Sequence, residues 1–216
     1  MQIISLKHSR FPSRIYLKFS DGSLIPFSLD DYVSLRLNKN DELDASQVDT
    51  IVRSSLAYLA SEFSLRQIAM APRIASVLLP KLKNYLKRVI LKYKYPSSDF
   101  DLDAICRQTT DHLESKGLLD QKAYVDYFIR KNRRKSARQL SYLLSSQGID
   151  SSLIPQNLST GSLDRQKISE FLQKHLSDPS ILADFTSRQK LMAKLYRKGF
   201  AVSDIKSVID EVSKNR

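Results

Sequence analysis

Apolar positions recur along this chain with two different periods, and the change of period divides it. After Ser13, the run Arg-Ile-Tyr-Leu-Lys-Phe places Ile15, Leu17 and Phe19 at alternate positions, Asp21-Gly22 follows, and then Leu24-Ile-Pro-Phe. Alternation closed by a turn dipeptide predicts a two-stranded β-hairpin. A hairpin alone is marginal, so it should pack on the elements that follow. Beyond it the spacing becomes helical. Val48, Ile51, Val52, Leu56 and Leu59 share one face of a helix expected to start at Ser46, with Asp49 completing an approximate capping box. Residues 65–95 also read as helical, but Pro72 and Pro80 each remove a backbone donor and crowd the preceding turn. At least two pieces are expected there, the last carrying Leu82, Leu86, Val89 and Ile90.

Shorter helices follow. Leu102, Ile105, Cys106, Thr109 and Leu113 form one apolar face that Gly117 stops. Asp120 is placed to cap the next helix, with Ala123, Tyr124, Tyr127 and Phe128. A third starts at Ser136, with Gln139 three residues on, and runs through Leu140, Leu143 and Leu144 to Gly148. The stretch 150–162, with Pro155, Gly161 and several serines, reads as a linker. Three more stripes come after it: Ile168, Phe171, Leu172 and Leu176; Leu191, Met192 and Leu195, ending at Gly199; and Ile205, Val208, Ile209 and Val212 after a Ser203 cap.

The two later triplets are alike. Leu144-Ser-Ser-Gln-Gly-Ile and Leu195-Tyr-Arg-Lys-Gly-Phe both end a helix at glycine and continue with an apolar residue. The organisation expected is a hairpin and turn over 1–45, helical repeats over 46–97 and 98–150, a linker over 151–162 and a third repeat over 163–216. Three-helix units of this size bury little apolar surface alone, so neighbours should lean together into an elongated, curved array. The fold class is all-α, tandem three-helix bundles with a small N-terminal β-hairpin.

Composition narrows the chemistry. One cysteine, Cys106, excludes an intramolecular disulfide and a cysteine-based zinc site, and His8, His112 and His175 have no metal-ligand spacing. No nucleophile elbow, phosphate loop or paired-carboxylate pattern appears, so neither catalytic residues, nor a metal, nor a cofactor is expected. Without a signal peptide or an apolar run near the length of a bilayer span, the cytoplasm is the expected compartment and no membrane partner is implied.

Charge points to an acidic partner. Thirty-five Lys and Arg against 23 Asp and Glu give a net charge of +12. The excess lies in blocks without acidic neighbours: eight basic residues over 63–98, six over 130–138 and five over 186–198. Arg130, Lys131, Arg133, Arg134, Lys135 and Arg138 fall at a junction between two helices, where several could reach neighbouring phosphates. Arg188, Lys190, Lys194, Arg197 and Lys198 recur at helical spacing, most of them opposite Leu191 and Leu195. Lys81, Lys83, Lys87 and Arg88 form a further candidate set. The plainer reading of each block is a solvated helix face, with Arg197 and Lys198 favouring a helix C-terminus. Tyr124, Tyr127 and Phe128, on one face, are expected in a core rather than against bases, and Cys106 is expected as a buried small hydrophobe.

Two segments resemble a known family. Leu113-Glu-Ser-Lys-Gly-Leu-Leu-Asp-Gln-Lys-Ala-Tyr-Val-Asp-Tyr-Phe-Ile-Arg is similar to the central signature of RecX proteins. Arg188-Gln-Lys-Leu-Met-Ala-Lys-Leu-Tyr-Arg-Lys-Gly-Phe-Ala-Val-Ser-Asp-Ile-Lys-Ser-Val-Ile is similar to their C-terminal signature. Pro72-Arg73 with Leu78 and Lys81-Leu82 weakly resembles the first-repeat pattern. The chain departs from the family at Gln121, where an acidic residue is usual, at Pro80, and at Ser136-Ala137, where a glycine commonly precedes Arg138. The resemblance implies a monomeric regulatory protein that binds the RecA–DNA filament, contacts both RecA and DNA, single-stranded and also double-stranded, and restrains RecA's ATPase, strand exchange and co-protease activities in recombination, DNA repair and the SOS response. It implies no enzyme. The rival from the residues alone is a stand-alone DNA-binding regulator of the helix-turn-helix class; a nucleic-acid-processing enzyme would need a carboxylate cluster that is not apparent.

Overall fold

The computed structural model describes residues 1–11, 13–96, 100–156, 158, 164–176, 182 and 184–214. Three strands, β1 (Ile3–His8), β2 (Arg14–Phe19) and β3 (Leu24–Ser28), form an antiparallel sheet in that order. Nine α-helices follow among the described residues: α1 (Leu29–Ser34), α2 (Ala45–Met70), α3 (Ala75–Tyr93), α4 (Leu102–Ser115), α5 (Gln121–Lys131), α6 (Ala137–Ser146), α7 (Asp164–His175), α8 (Phe185–Arg197) and α9 (Val202–Lys214). The helical fold with a small N-terminal β element is therefore as the sequence suggests, with one strand more. β1 was concealed because its pairing with β2 shifts register between Ile3 and Ser5, and that irregularity breaks the alternation on which a strand is recognised.

Contacts divide the chain into two compact units, Met1–Asp120 and Gln121–Arg216. The division falls inside the segment expected as the second repeat, since α4 supplies Ile105 and Cys106 to the core of the first unit while α5 and α6 belong to the second.

In the first unit the inner face of the sheet, Ile15, Leu17, Phe19, Ile25 and Phe27, packs with Ile51, Val52 and Leu56 of α2 and Leu82 and Leu86 of α3. Arg14 pairs with Glu62 and joins the sheet to α2 at the edge of this core. Ser55 on α2 bonds both the Pro26 carbonyl and the Tyr95 hydroxyl, which burial pushes well above its ordinary pKa. α2 begins at Ala45 rather than Ser46, because the capping box is Asp44 with Gln47: Gln47 N–H donates to the Asp44 carboxylate at 2.8 Å and the Gln47 amide oxygen accepts from Asp44 N–H at 2.9 Å.

Of the two prolines expected to interrupt 65–95, only Pro72 lies in a break, between α2 and α3. Pro80 sits in the second turn of α3, which continues through it. Burial of Leu78, Leu82, Leu86 and Val89 along one stripe outweighs the loss of one backbone donor there.

In the second unit, α5 and α6 bury Tyr124, Val125, Leu140 and Leu144. The Tyr124 hydroxyl donates to the Gln147 side chain at 2.8 Å, so this tyrosine is a core residue, as its face implies. Within the stretch read as a linker, Ser151–Leu153 form a 3-10 turn capped by Asp150, and Ile154 and Leu158 are buried. Gly161 and the serines at 159 and 162 lie outside the described residues. Helices α7, α8 and α9 enclose a core of Ile168, Leu172, Leu195, Phe200, Ile205, Val208 and Ile209. α9 starts at Val202, which places Ser203 inside the first turn rather than at the cap.

Candidate nucleic-acid interface

The junction between α5 and α6 is a four-residue turn, Asn132 to Lys135, followed by Ser136 as the cap of α6. Local chemistry explains it. The Ser136 hydroxyl accepts from Gln139 N–H at 3.1 Å, and Lys135 N–H donates to the Asn132 carbonyl at 2.9 Å, so the turn is tied at both ends. Arg133 and Arg134 project from it and are exposed.

Tertiary contacts fix this turn against α7 and α8. Ser136 is fully buried and its N–H donates to the Lys198 carbonyl at 3.4 Å. Ala137 N–H donates to both carboxylate oxygens of Asp164, at 2.8 and 3.1 Å, so the first residue of α7 caps α6 across 27 positions of sequence. Asp164 is 4 % exposed, and burial raises its carboxyl above the ordinary range, against the lowering effects of Ala137 N–H and Lys167. Lys167 lies 3.7 Å from that carboxylate and donates to the Lys135 carbonyl at 3.1 Å. Gly199, at φ +85°, completes the joint: a Cβ there would stand 2.7 Å from the Ser136 hydroxyl oxygen.

The joint brings two basic blocks together. Arg133 and Arg134 from the turn, Lys194 and Lys198 from α8 and its end, and Lys167 and Lys174 from α7 line one concavity of about 600 Å³. A neighbouring concavity of about 540 Å³ shares Arg133, Arg134 and Lys198 and adds Lys131, Lys135 and Arg197. Glu170 is the acidic residue of the first and is bonded by the Gln166 amide at 3.1 Å. Among the described residues, Arg133, Arg134, Lys174, Lys194 and Lys198 enter no ion pair with a carboxylate. Cations crowded this way at low ionic strength repel one another and attract polyanions.

Other candidate cations are placed differently. Arg188 donates to Asp210 on α9 at 2.5 Å, so its charge is compensated within the fold. Arg130, Arg138 and Lys190 are exposed but line neither concavity. Lys81, Lys83, Lys87 and Arg88 are on α3, in the first unit. There Lys83 donates to both oxygens of Asp103 at 2.7 Å and, by that hydrogen bonding, holds the carboxyl below its usual range. Arg88 donates to its own helix at the Asn84 carbonyl, while Lys81 and Lys87 are exposed.

Lys167, Lys174, His175 and Phe171 belong to the site although no acid-free run marks them. Asp164 and Glu170 interrupt the basic residues of α7, and Phe171 reads as core. The available signal was helical spacing, since 167, 171, 174 and 175 fall on one face beside the buried stripe of Ile168 and Leu172.

Among the described residues no helix is long and apolar enough to cross a membrane, and no group of three or more His, Cys, Asp or Glu could hold a metal ion. Cys106 is buried and its thiol is pushed up to about 11 by desolvation.

Comparison with known proteins locates this architecture. Residues 164–209, which supply α7, α8 and most of α9, match the model of the third three-helix domain of RecX. Over the whole chain the fold is similar to the crystal structure of a regulatory protein RecX, with a TM-score of 0.56 and 19% identity, covering 97% of this chain and 98% of that one. No curated protein matches the chain. The C-terminal signature beginning at Arg188 falls within the matched domain, and the segment carrying the central signature lies within the span over which the fold is similar.

Proposed function

We propose that this chain, RecX-like in its third three-helix domain and in its fold throughout, is a regulatory protein that binds the RecA–DNA filament and restrains RecA. It acts by occupancy, as a monomer in the cytoplasm, and not as an enzyme. The observation that carries the reading is the convergence of cations from the α5–α6 turn, α7 and α8 on one surface of the second unit, most of them without a carboxylate partner among the described residues.

A DNA backbone is matched by such a surface because each neutralised phosphate releases condensed counterions, a gain that grows with the number of cations brought to bear. Base edges need not be read, which suits a partner defined by a protein filament rather than by sequence. Held on the phosphates and on RecA together, the protein would keep adjacent RecA subunits from cycling nucleotide or admitting a second duplex. ATPase, strand exchange and co-protease activity would all fall as a result.

The test is RecA's single-strand-dependent ATPase, titrated with this protein below and at stoichiometry, with parallel measurement of its binding to the same strand without RecA. A fall in rate at concentrations too low to sequester the strand is the expected result. No change until the strand is saturated would contradict a filament-directed role and leave a DNA-binding protein of the helix-turn-helix class.

A further inference from the structure

The two concavities that share Arg133, Arg134 and Lys198 differ in the rest of their lining, the larger holding Glu170 and three rings. The smaller is lined by cations and amides, including Lys131, Asn132 and Gln139, and has no ring. The larger adds Phe171, His175 and Phe200. A duplex presents phosphates outward and keeps its bases stacked within, so it can use the cations of both concavities but not an aromatic ring. A single strand offers unstacked bases between its phosphates, and these stack on such rings without regard to sequence.

His175 is built for that contact. Its ring stacks on Phe171, with centroids 4.0 Å apart and planes 20° from parallel. Its Nδ1–H donates to the Phe171 carbonyl at 2.9 Å, which fixes the ring in rotation as well as position. Phe171 in turn packs against the core of the second unit. The ammonium groups of Lys194 and Lys198 lie 5.2 and 5.4 Å from the Phe171 centroid. Phe171 is half-buried, whereas His175 is exposed and presents the accessible ring of that stack. A platform ordered before its ligand arrives loses little side-chain freedom on binding.

We infer that the larger concavity is a single-strand site, which seats one unstacked base on the outer face of His175 while the flanking phosphates lie on Arg133, Arg134 and Lys198. The inference rests on the reading of this surface as a nucleic-acid interface and adds to it a preference for single strands over duplex.

The experiment compares the full-length protein with its His175→Ala and His175→Phe variants for binding to a short oligodeoxythymidylate and to a mixed-sequence hairpin duplex, each over a range of salt. The side chain is exposed and folding is checked by thermal melts. Expected for His175→Ala is a loss of single-strand affinity of about 5-fold or more, an unchanged salt slope, unchanged duplex binding, and recovery in His175→Phe. Equal losses on strand and duplex, or none on either, would overturn the stacking site while leaving the cationic interface standing. Absence of binding to either nucleic acid by the unsubstituted protein would overturn the interface reading itself.

Discussion

Gly199 stands where the two basic blocks meet, and replacing it with alanine separates a backbone effect from a packing effect. At φ +85° an L side chain is strained, which costs about 1–2 kcal/mol. Gly148 has nearly the same conformation, φ +80°, with nothing within 4 Å of a Cβ, so Gly148→Ala should show that cost and little more. At Gly199 the new methyl would lie 2.7 Å from the Ser136 hydroxyl and 3.1 Å from the Gln139 Cβ. Ser136 can move only by abandoning the Gln139 N–H it caps, a loss of about 1 kcal/mol, and it has no solvent to turn to. Gly199→Ala is therefore expected to cost about 2–4 kcal/mol in total, at least ~1 kcal/mol more than Gly148→Ala. Both positions lie in the second unit, so urea denaturation followed by circular dichroism reads them on the same transition. Equal midpoints for the two variants, with unchanged slopes, would refute the joint as the reason for glycine at 199.

Asp164→Ala should destabilise the second unit by about 1–2 kcal/mol, since Ala137 N–H loses its acceptor in a buried place; a change within the error of urea denaturation would deny the cap. Because burial raises the Asp164 carboxyl, its folded form binds a proton more readily than its unfolded form. Its contribution is full below the unfolded value and lost as pH rises through the folded one, so the stability of the unsubstituted protein relative to Asp164→Asn should increase as pH is lowered through the carboxylate range, which parallel denaturation curves would show. Leu86→Ala, at a fully buried position of the first unit, should cost about 2–5 kcal/mol by the same method. Cys106, buried and with its thiol raised to about 11, should resist iodoacetamide in the native protein and react once unfolded.

Features decided within a few residues were readable in the sequence. The Ser136 cap, the α4 face and the turns at Gly148 and Gly199 each depend on neighbours three or four positions away, and each is present. The cap of α2 lies two residues before the one the sequence suggests, because Asp44 with Gln47 and Ser46 with Asp49 offer overlapping versions of one motif, and only the geometry distinguishes them. Pro80 misled because helix propensity is a local quantity while the stripe from Leu78 to Val89 is a tertiary one. At the site, the acid-free runs exposed Arg133, Arg134, Lys194 and Lys198. They could not expose the pairings of Lys83 with Asp103, 20 residues on, or Arg188 with Asp210, 22 residues on. Nor could they expose α7, where Glu170 stands between Lys167 and Lys174 and leaves no acid-free run.

The most direct test of the cationic interface is the salt dependence of single-strand binding by the variant with Arg133, Arg134, Lys194 and Lys198 all changed to alanine, beside a control with Lys83 and Arg188 changed. Expected is a slope of log affinity against log salt reduced by ~0.7 for each lost phosphate contact, up to about 3 in the quadruple variant, and unaltered in the control. An unchanged slope in the quadruple variant, or an equal reduction in the control, would contradict the claim that the converged cations of the second unit are the surface that meets DNA.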